Sequence, residues 1–360
     1  MSIWQWSKHL PQIETAHQLS LGEGHTPLVH SRRLGGAAGI DKLSFKLESC
    51  NPSGSYKDRF AAAAISHMQV NRQRICVATS SGNTGAALAA YCAAADIACH
   101  IAIVESAPAG KLLQMAAYGA KLYRVRNFGT DPQITERTFD ALVRLGTQSN
   151  SALQISAFKY SPLGMAGVET ISYEIVEECG QVANIFVPAG GGGLALAVAR
   201  GLQQMVTTGR IKRSPKVHCV QPTGNDTIAG PLRTGKIRAR AVQCTSRISG
   251  LQVASVIDGD EVITACREIG GTGITVTDEE VFEVQRRLAR EEGIFCEPAG
   301  AVSVAGALAA AATGEISGNE VSVCLITGSG FKDLASIEKY AGVADCPTIE
   351  WQQLDECFGN

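Results

Sequence analysis

From about residue 43 onward, short β-branched apolar runs alternate with longer Ala-rich segments whose apolar residues recur at helical spacing. The apolar runs predict strands at 43–47, 75–79, 98–104, 121–125, 152–156, 184–187, 216–220 and 321–326. The segments between them predict helices at 84–95, 110–118, 134–145, 165–178, 193–205, 278–292 and 299–311. Alternation at this rhythm builds βαβ units, so the expected fold is α/β, with open, mostly parallel twisted sheets covered by helices. The run Val321-Ser322-Val323-Cys324-Leu325-Ile326 is nearly all apolar, as befits a central parallel strand. In such sheets ligands sit beyond the carboxyl ends of the strands.

A chain of 360 residues exceeds one small core and predicts two units with a cleft between them. The division expected is a smaller N-terminal α/β domain at 43–158, a larger one from 1–42 together with 159–345, and a tail at 346–360. Gly129-Thr130-Asp131-Pro132 and the segment 160–167 are the expected crossings. The first 20 residues and the tail fall outside the alternating pattern and read as packing or subunit-contact arms.

Charge and composition narrow the partners. With 18% charged residues of both signs and a net charge of −2, no basic stripe for nucleic acid stands out. The apolar run 301–312 is short and Ala-rich, which suits a buried helix and no membrane partner. Residues 1–10 lack a basic start followed by an apolar core, so a cytoplasmic protein is expected. The twelve cysteines include no C-x-x-C pair and the seven histidines no H-E-x-x-H, so free thiols and no metal site are expected.

Candidate chemistry lies in four loops, each where a strand hands over to a helix. Asn51-Pro52-Ser53-Gly54-Ser55-Tyr56-Lys57-Asp58 puts Lys57 at the junction of a turn and an Ala-rich helix. Such a lysine can be desolvated and aimed at a carbonyl to form a Schiff base; alone, it would read as a surface residue. Ser80, Ser81, Gly82, Asn83 and Thr84 form a helix start, a place for a carboxylate or simply a cap. Gly190, Gly191, Gly192 and Gly193 precede another helix, and four consecutive glycines are entropically costly unless backbone must approach a phosphate. They match neither a P-loop nor a dinucleotide fingerprint. Thr327 ends the last strong strand, placed to offer its hydroxyl to a ring nitrogen; Glu297 opens a further loop, lining the ring or capping a helix. One cofactor accounts for all four loops: pyridoxal 5′-phosphate, with Lys57 on its aldehyde, Asn83 on its ring hydroxyl, the glycines on its phosphate and Thr327 on its nitrogen.

Those motifs resemble the fold-type II pyridoxal-phosphate enzymes (the tryptophan synthase β family). The runs Gly22-Glu23-Gly24-His25-Thr26-Pro27-Leu28, Lys57-Asp58-Arg59 and Thr327-Gly328-Ser329-Gly330-Phe331-Lys332-Asp333 look most like threonine synthase, over roughly residues 20–335. The resemblance implies a homodimer acting on a small amino-acid substrate, with the cofactor in the interdomain cleft. Lys57 would be the Schiff-base lysine and the base at Cα and Cβ, and Ser80, Ser81, Gly82, Asn83 and Thr84 would bind the substrate carboxylate. The implied reaction eliminates phosphate from O-phosphohomoserine and adds water to give threonine. Dehydration of serine or threonine and β-replacement are alternatives within the fold, and a non-catalytic cofactor-binding regulator is an alternative of another class. The stretch Gly164-Met165-Ala166-Gly167-Val168-Glu169-Thr170 departs from the resemblance, lacking the arginine that grips the substrate phosphate.

Overall fold

The computed structural model describes residues 2–105, 107, 109–253, 256–341 and 346–358. Among the described residues ten strands form: β1 (Leu28–His30), β2 (Leu43–Lys46), β3 (Ile75–Thr79), β4 (Ala98–Val104), β5 (Lys121–Val125), β6 (Ser151–Leu153), β7 (Asn184–Pro188), β8 (Lys216–Pro222), β9 (Gly273–Val276) and β10 (Ser322–Leu325). They assemble into a six-stranded sheet in the order β1-β2-β10-β7-β8-β9 and a four-stranded sheet in the order β5-β4-β3-β6. Every pairing is parallel except that of β1 with β2. This is the α/β architecture expected of the alternating pattern.

Differences from expectation have local causes. Strand β6 ends at Leu153; the Gln154 N–H still donates to the Val77 carbonyl of β3, and residues 155–156 leave the sheet. Strands β1 and β9, three and four residues long, are additions to the expected set. Gly129–Pro132 is no crossing: β5 and β6 lie in one sheet, and Asp131 caps the intervening helix Pro132–Gly146 through the Gln133 and Ile134 N–H groups. Strand β2 pairs with β1 and β10, so residues 43–46 go with the larger sheet rather than opening the smaller unit.

The helices Lys57–Val70 and Pro162–Cys179 pack closely between the sheets. A methyl group at Gly167 would fall 2.3 Å from the Arg59 carbonyl oxygen, and one at Gly164 2.7 Å from the Phe60 ring. The main hydrophobic cluster runs past both sheets, joining Ile65, Leu88 and Ile101 to Ile185, Val198 and Ile263, while a second covers the other face of the larger sheet. Ile3 and Trp6 of the first short helix are buried, so that arm packs on its own chain, whereas residues 350–358 are mostly exposed. Among the described residues no helix is long and apolar enough to cross a membrane. All twelve cysteines are free. The sulfurs of Cys76, Cys92 and Cys99, on β3, a helix and β4, lie within 4.8 Å of one another in the core, a grouping that sequence spacing does not disclose.

Candidate active site

The carboxyl ends of both sheets open into one cavity of about 830 Å³, lined by Lys57, Ser80, Ser81, Gly82, Asn83, Thr84, Gly190, Gly191, Gly192, Gly193 and Thr327. Every site residue expected from sequence is therefore brought to one place. Ser156, Lys111, Lys332, Glu297 and the segment 249–253 also line it.

The turn before Lys57 is held by its own polar residues. The Asp58 carboxylate accepts the Ser53 N–H at 2.9 Å and the Ser53 hydroxyl at 2.7 Å. Asn51 accepts the Gly24 N–H and donates to Glu48. Behind them the Arg59 guanidinium, fully buried, donates to both oxygens of Glu48 (2.8 and 2.7 Å) and both of Glu174 (2.6 and 2.7 Å). Two forked pairs of this kind fix the first turn of the helix far more firmly than an exposed ion pair would. The Tyr56 N–H donates to the Thr327 carbonyl and the Ser329 N–H to the Gly54 carbonyl, tying the Thr327 loop to the lysine turn.

The Lys57 amine faces the cavity and donates to the Ser156 hydroxyl at 2.5 Å. Burial lowers its pKa to about 7, while the negative charges of Glu297 and Asp258 limit the fall. A neutral amine is the nucleophile, so capture of pyridoxal phosphate by the apo protein should quicken as pH rises through about 7 and level off above it. Glu297→Gln removes a charge that favours the ammonium and should move that midpoint down. Stopped-flow absorbance would read both; a rate still climbing toward the ordinary lysine value of 10.5 would overturn the assignment.

The glycine loop is built for contact with an anion. Gly192 has φ +96°, and a methyl group there would fall 2.7 Å from Val262 Cγ2; one at Gly193 would lie 3.2 Å from the Ser156 carbonyl oxygen. Gly193 opens the 15-residue helix Gly193–Thr207. Among the described residues the amide groups of Gly190 to Gly193 have no protein acceptor. Bare backbone, unclaimed N–H groups and the positive end of a helix suit a phosphate, so the residues fit the cofactor inferred from sequence. Asp258 accepts the Phe158 and Lys159 N–H groups at 2.8 and 3.1 Å, and its own N–H donates to the Gly191 carbonyl, fastening the Ser156 segment to the glycines.

Opposite the glycines, the Asn83 amide donates to Glu297 Oε1 at 2.7 Å. Glu297 is 4% exposed, and burial raises its pKa to about 7 against the pull of Asn83 and two lysines. Thr327 is buried, and among the described residues its hydroxyl has no protein partner. Sequence reasoning gave Ser156 and Lys332 no role. Ser156 stood at the end of an expected strand and Lys332 within a recognised loop, but neither residue type announced a partner.

The Pyridoxal-phosphate dependent enzyme family profile matches residues 19–328. The chain is 32% identical over 341 residues to the threonine synthase of Methanocaldococcus jannaschii, covering 92% of this chain and 81% of that one. Among solved structures it is similar to serine racemase from Dictyostelium discoideum, with TM-score 0.69, 25% identity and coverage of 85% and 92%. It is also similar in fold to threonine deaminase isoform 2 from Solanum lycopersicum, with TM-score 0.71, 22% identity and coverage of 89% and 88%.

Proposed function

Because this chain belongs to the pyridoxal-phosphate-dependent enzymes, we propose that it is a carbon–oxygen lyase of the threonine synthase type, acting on an activated amino acid such as O-phosphohomoserine. In that reaction the Cγ–O bond breaks, phosphate leaves, and water adds its hydroxyl at Cβ to give threonine. The bound cofactor supplies an electron sink that acidifies the substrate Cα–H and lets a side-chain substituent depart.

The observation that carries this reading is the place of Ser156. Its hydroxyl accepts the Lys57 amine and its carbonyl lies against Gly193, so the nucleophile and the phosphate cradle share one wall. In the proposed assignment Lys57 holds the aldehyde end of the cofactor and afterwards carries protons at Cα and Cβ, a task suited to an amine with pKa about 7. The glycines hold the phosphate, and the start of helix Asn83–Ala94 faces the cavity where the substrate carboxylate would sit. Thr327 would offer a neutral hydroxyl to the ring nitrogen, which suits an elimination that discharges Cα charge into a leaving group. Asn83 would meet the ring hydroxyl, its amide held by Glu297. The setting we propose is a cytoplasmic homodimer.

A second reading, dehydration of serine or threonine, is favoured by Gly164. Its close contact with Phe60 leaves no room for a phosphate-gripping arginine there. Product analysis decides between them. The holoenzyme should release phosphate and threonine in equal amounts from O-phosphohomoserine. Production of 2-oxoacid and ammonia from threonine or serine, with no phosphate released from O-phosphohomoserine, would establish the second reading instead. O-phosphoserine and O-acetylserine complete the screen for β-replacement.

A further inference from the structure

A substrate with a distal phosphate carries two anions besides the cofactor's own. The glycine loop and the helix start at Asn83 account for the cofactor phosphate and the α-carboxylate in the proposal above, leaving the leaving group unmatched. Gly164 offers it no charge.

Among the described residues, two cations line the cavity apart from Lys57. Lys111 lies on helix Ala109–Ala117 beside the smaller sheet, where its amine donates to the Ser249 hydroxyl and stands 3.8 Å from Asp333. Lys332 lies in the loop after β10, and its amine donates to the Gln114 amide oxygen at 2.5 Å. Gln114 in turn donates to the Ser53 carbonyl. Among the described residues no carboxylate lies within 4.0 Å of the Lys332 amine. The two lysines thus reach the cavity from the sides of the two sheets, their amines bonded to neutral oxygens, with Asp333 near Lys111, while the Glu297 charge acts on both and that of Asp58 on Lys332. Burial lowers the Lys332 pKa, so an incoming anion would stabilise its charged form.

We propose that Lys111 and Lys332 together form the seat for the anionic leaving group, in place of the arginine missing from residues 164–170. The inference rests on the elimination proposed above, and it specifies a substrate class with an anion distal to the amino-acid head. Two ammonium groups suit a phosphate as point charges, approaching from two sides where a guanidinium would fork from one.

Lys111→Met, Lys332→Met and the double variant, each as holoenzyme, test it by titrating the cofactor absorbance with O-phosphohomoserine and with homoserine. Each single change should weaken O-phosphohomoserine by about 10- to 100-fold more than homoserine, since a hydrogen bond to a charged group contributes about 1.5–3 kcal/mol. Lys111→Arg and Lys332→Arg keep the charge and should keep most of the preference. If the Met variants weaken both ligands equally or neither, the seat is overturned. Should the wild type show the lysine-dependent preference yet release no phosphate, the seat stands and the reaction falls. Should it make threonine and phosphate while the double variant binds both ligands as the wild type does, the reaction stands and the seat falls.

Discussion

Lys57→Ala is expected to abolish turnover, with a loss of roughly 10²–10⁴-fold for the missing proton carrier alone and more for the missing nucleophile. The substitution deletes the amine that donates to Ser156 while the frame around it stays in place. Asp58 still holds Ser53, and Arg59 still holds Glu48 and Glu174, so the variant should fold. The glycine cradle also remains, so the variant should still retain pyridoxal phosphate, only without a covalent tie. Borohydride treatment followed by peptide mass analysis separates the outcomes. Wild type should carry the pyridoxyl group on Lys57 and the variant on no residue. A variant that still yields a reducible adduct would remove Lys57 from the centre of the chemistry.

Arg59→Met should have the second large effect, and it falls on stability. The guanidinium is the common partner of two buried carboxylates, and its removal leaves Glu48 and Glu174 facing each other in the core. Breaking a buried pair in this way costs about 3–5 kcal/mol. Lys46, 3.0 Å from Glu174, compensates only part of the lost charge. Acid sensitivity follows from the same group. Burial acts to raise the Glu174 pKa, but Arg59 and Lys46 outweigh it and hold it at about 2. The stability this contributes is present above the ordinary value of 4.5 and is lost as pH falls from there toward 2. Arg59→Met should flatten that acid limb. Urea unfolding at neutral pH and at pH about 4 measures both effects. Unchanged unfolding midpoints would show that the network is not what fixes the lysine turn.

The architecture was legible because strand–loop–helix units signal themselves locally. The glycine quartet, the helix start at Asn83 and the lysine turn each announce their geometry within a few residues. What escaped were pairings across the chain. Asn83 meets Glu297 214 positions away, and Lys57 meets Ser156 99 positions away. A serine at a strand end carries no mark of the amine it will face, and no periodicity encodes a contact between two loops. Arg59 shows the same limit. It read as part of a motif next to the lysine, yet its role is set by Glu174 on a helix 115 positions on.

The bare backbone at Gly328 has an evolutionary corollary. A methyl group there would fall 2.2 Å from Glu297 Oε1 and 3.1 Å from Asn83 Nδ2. A bulkier residue at 328 would therefore push the flexible Glu297 carboxylate off Asn83, so a lineage that acquires one is expected to have repositioned or replaced the acid at 297.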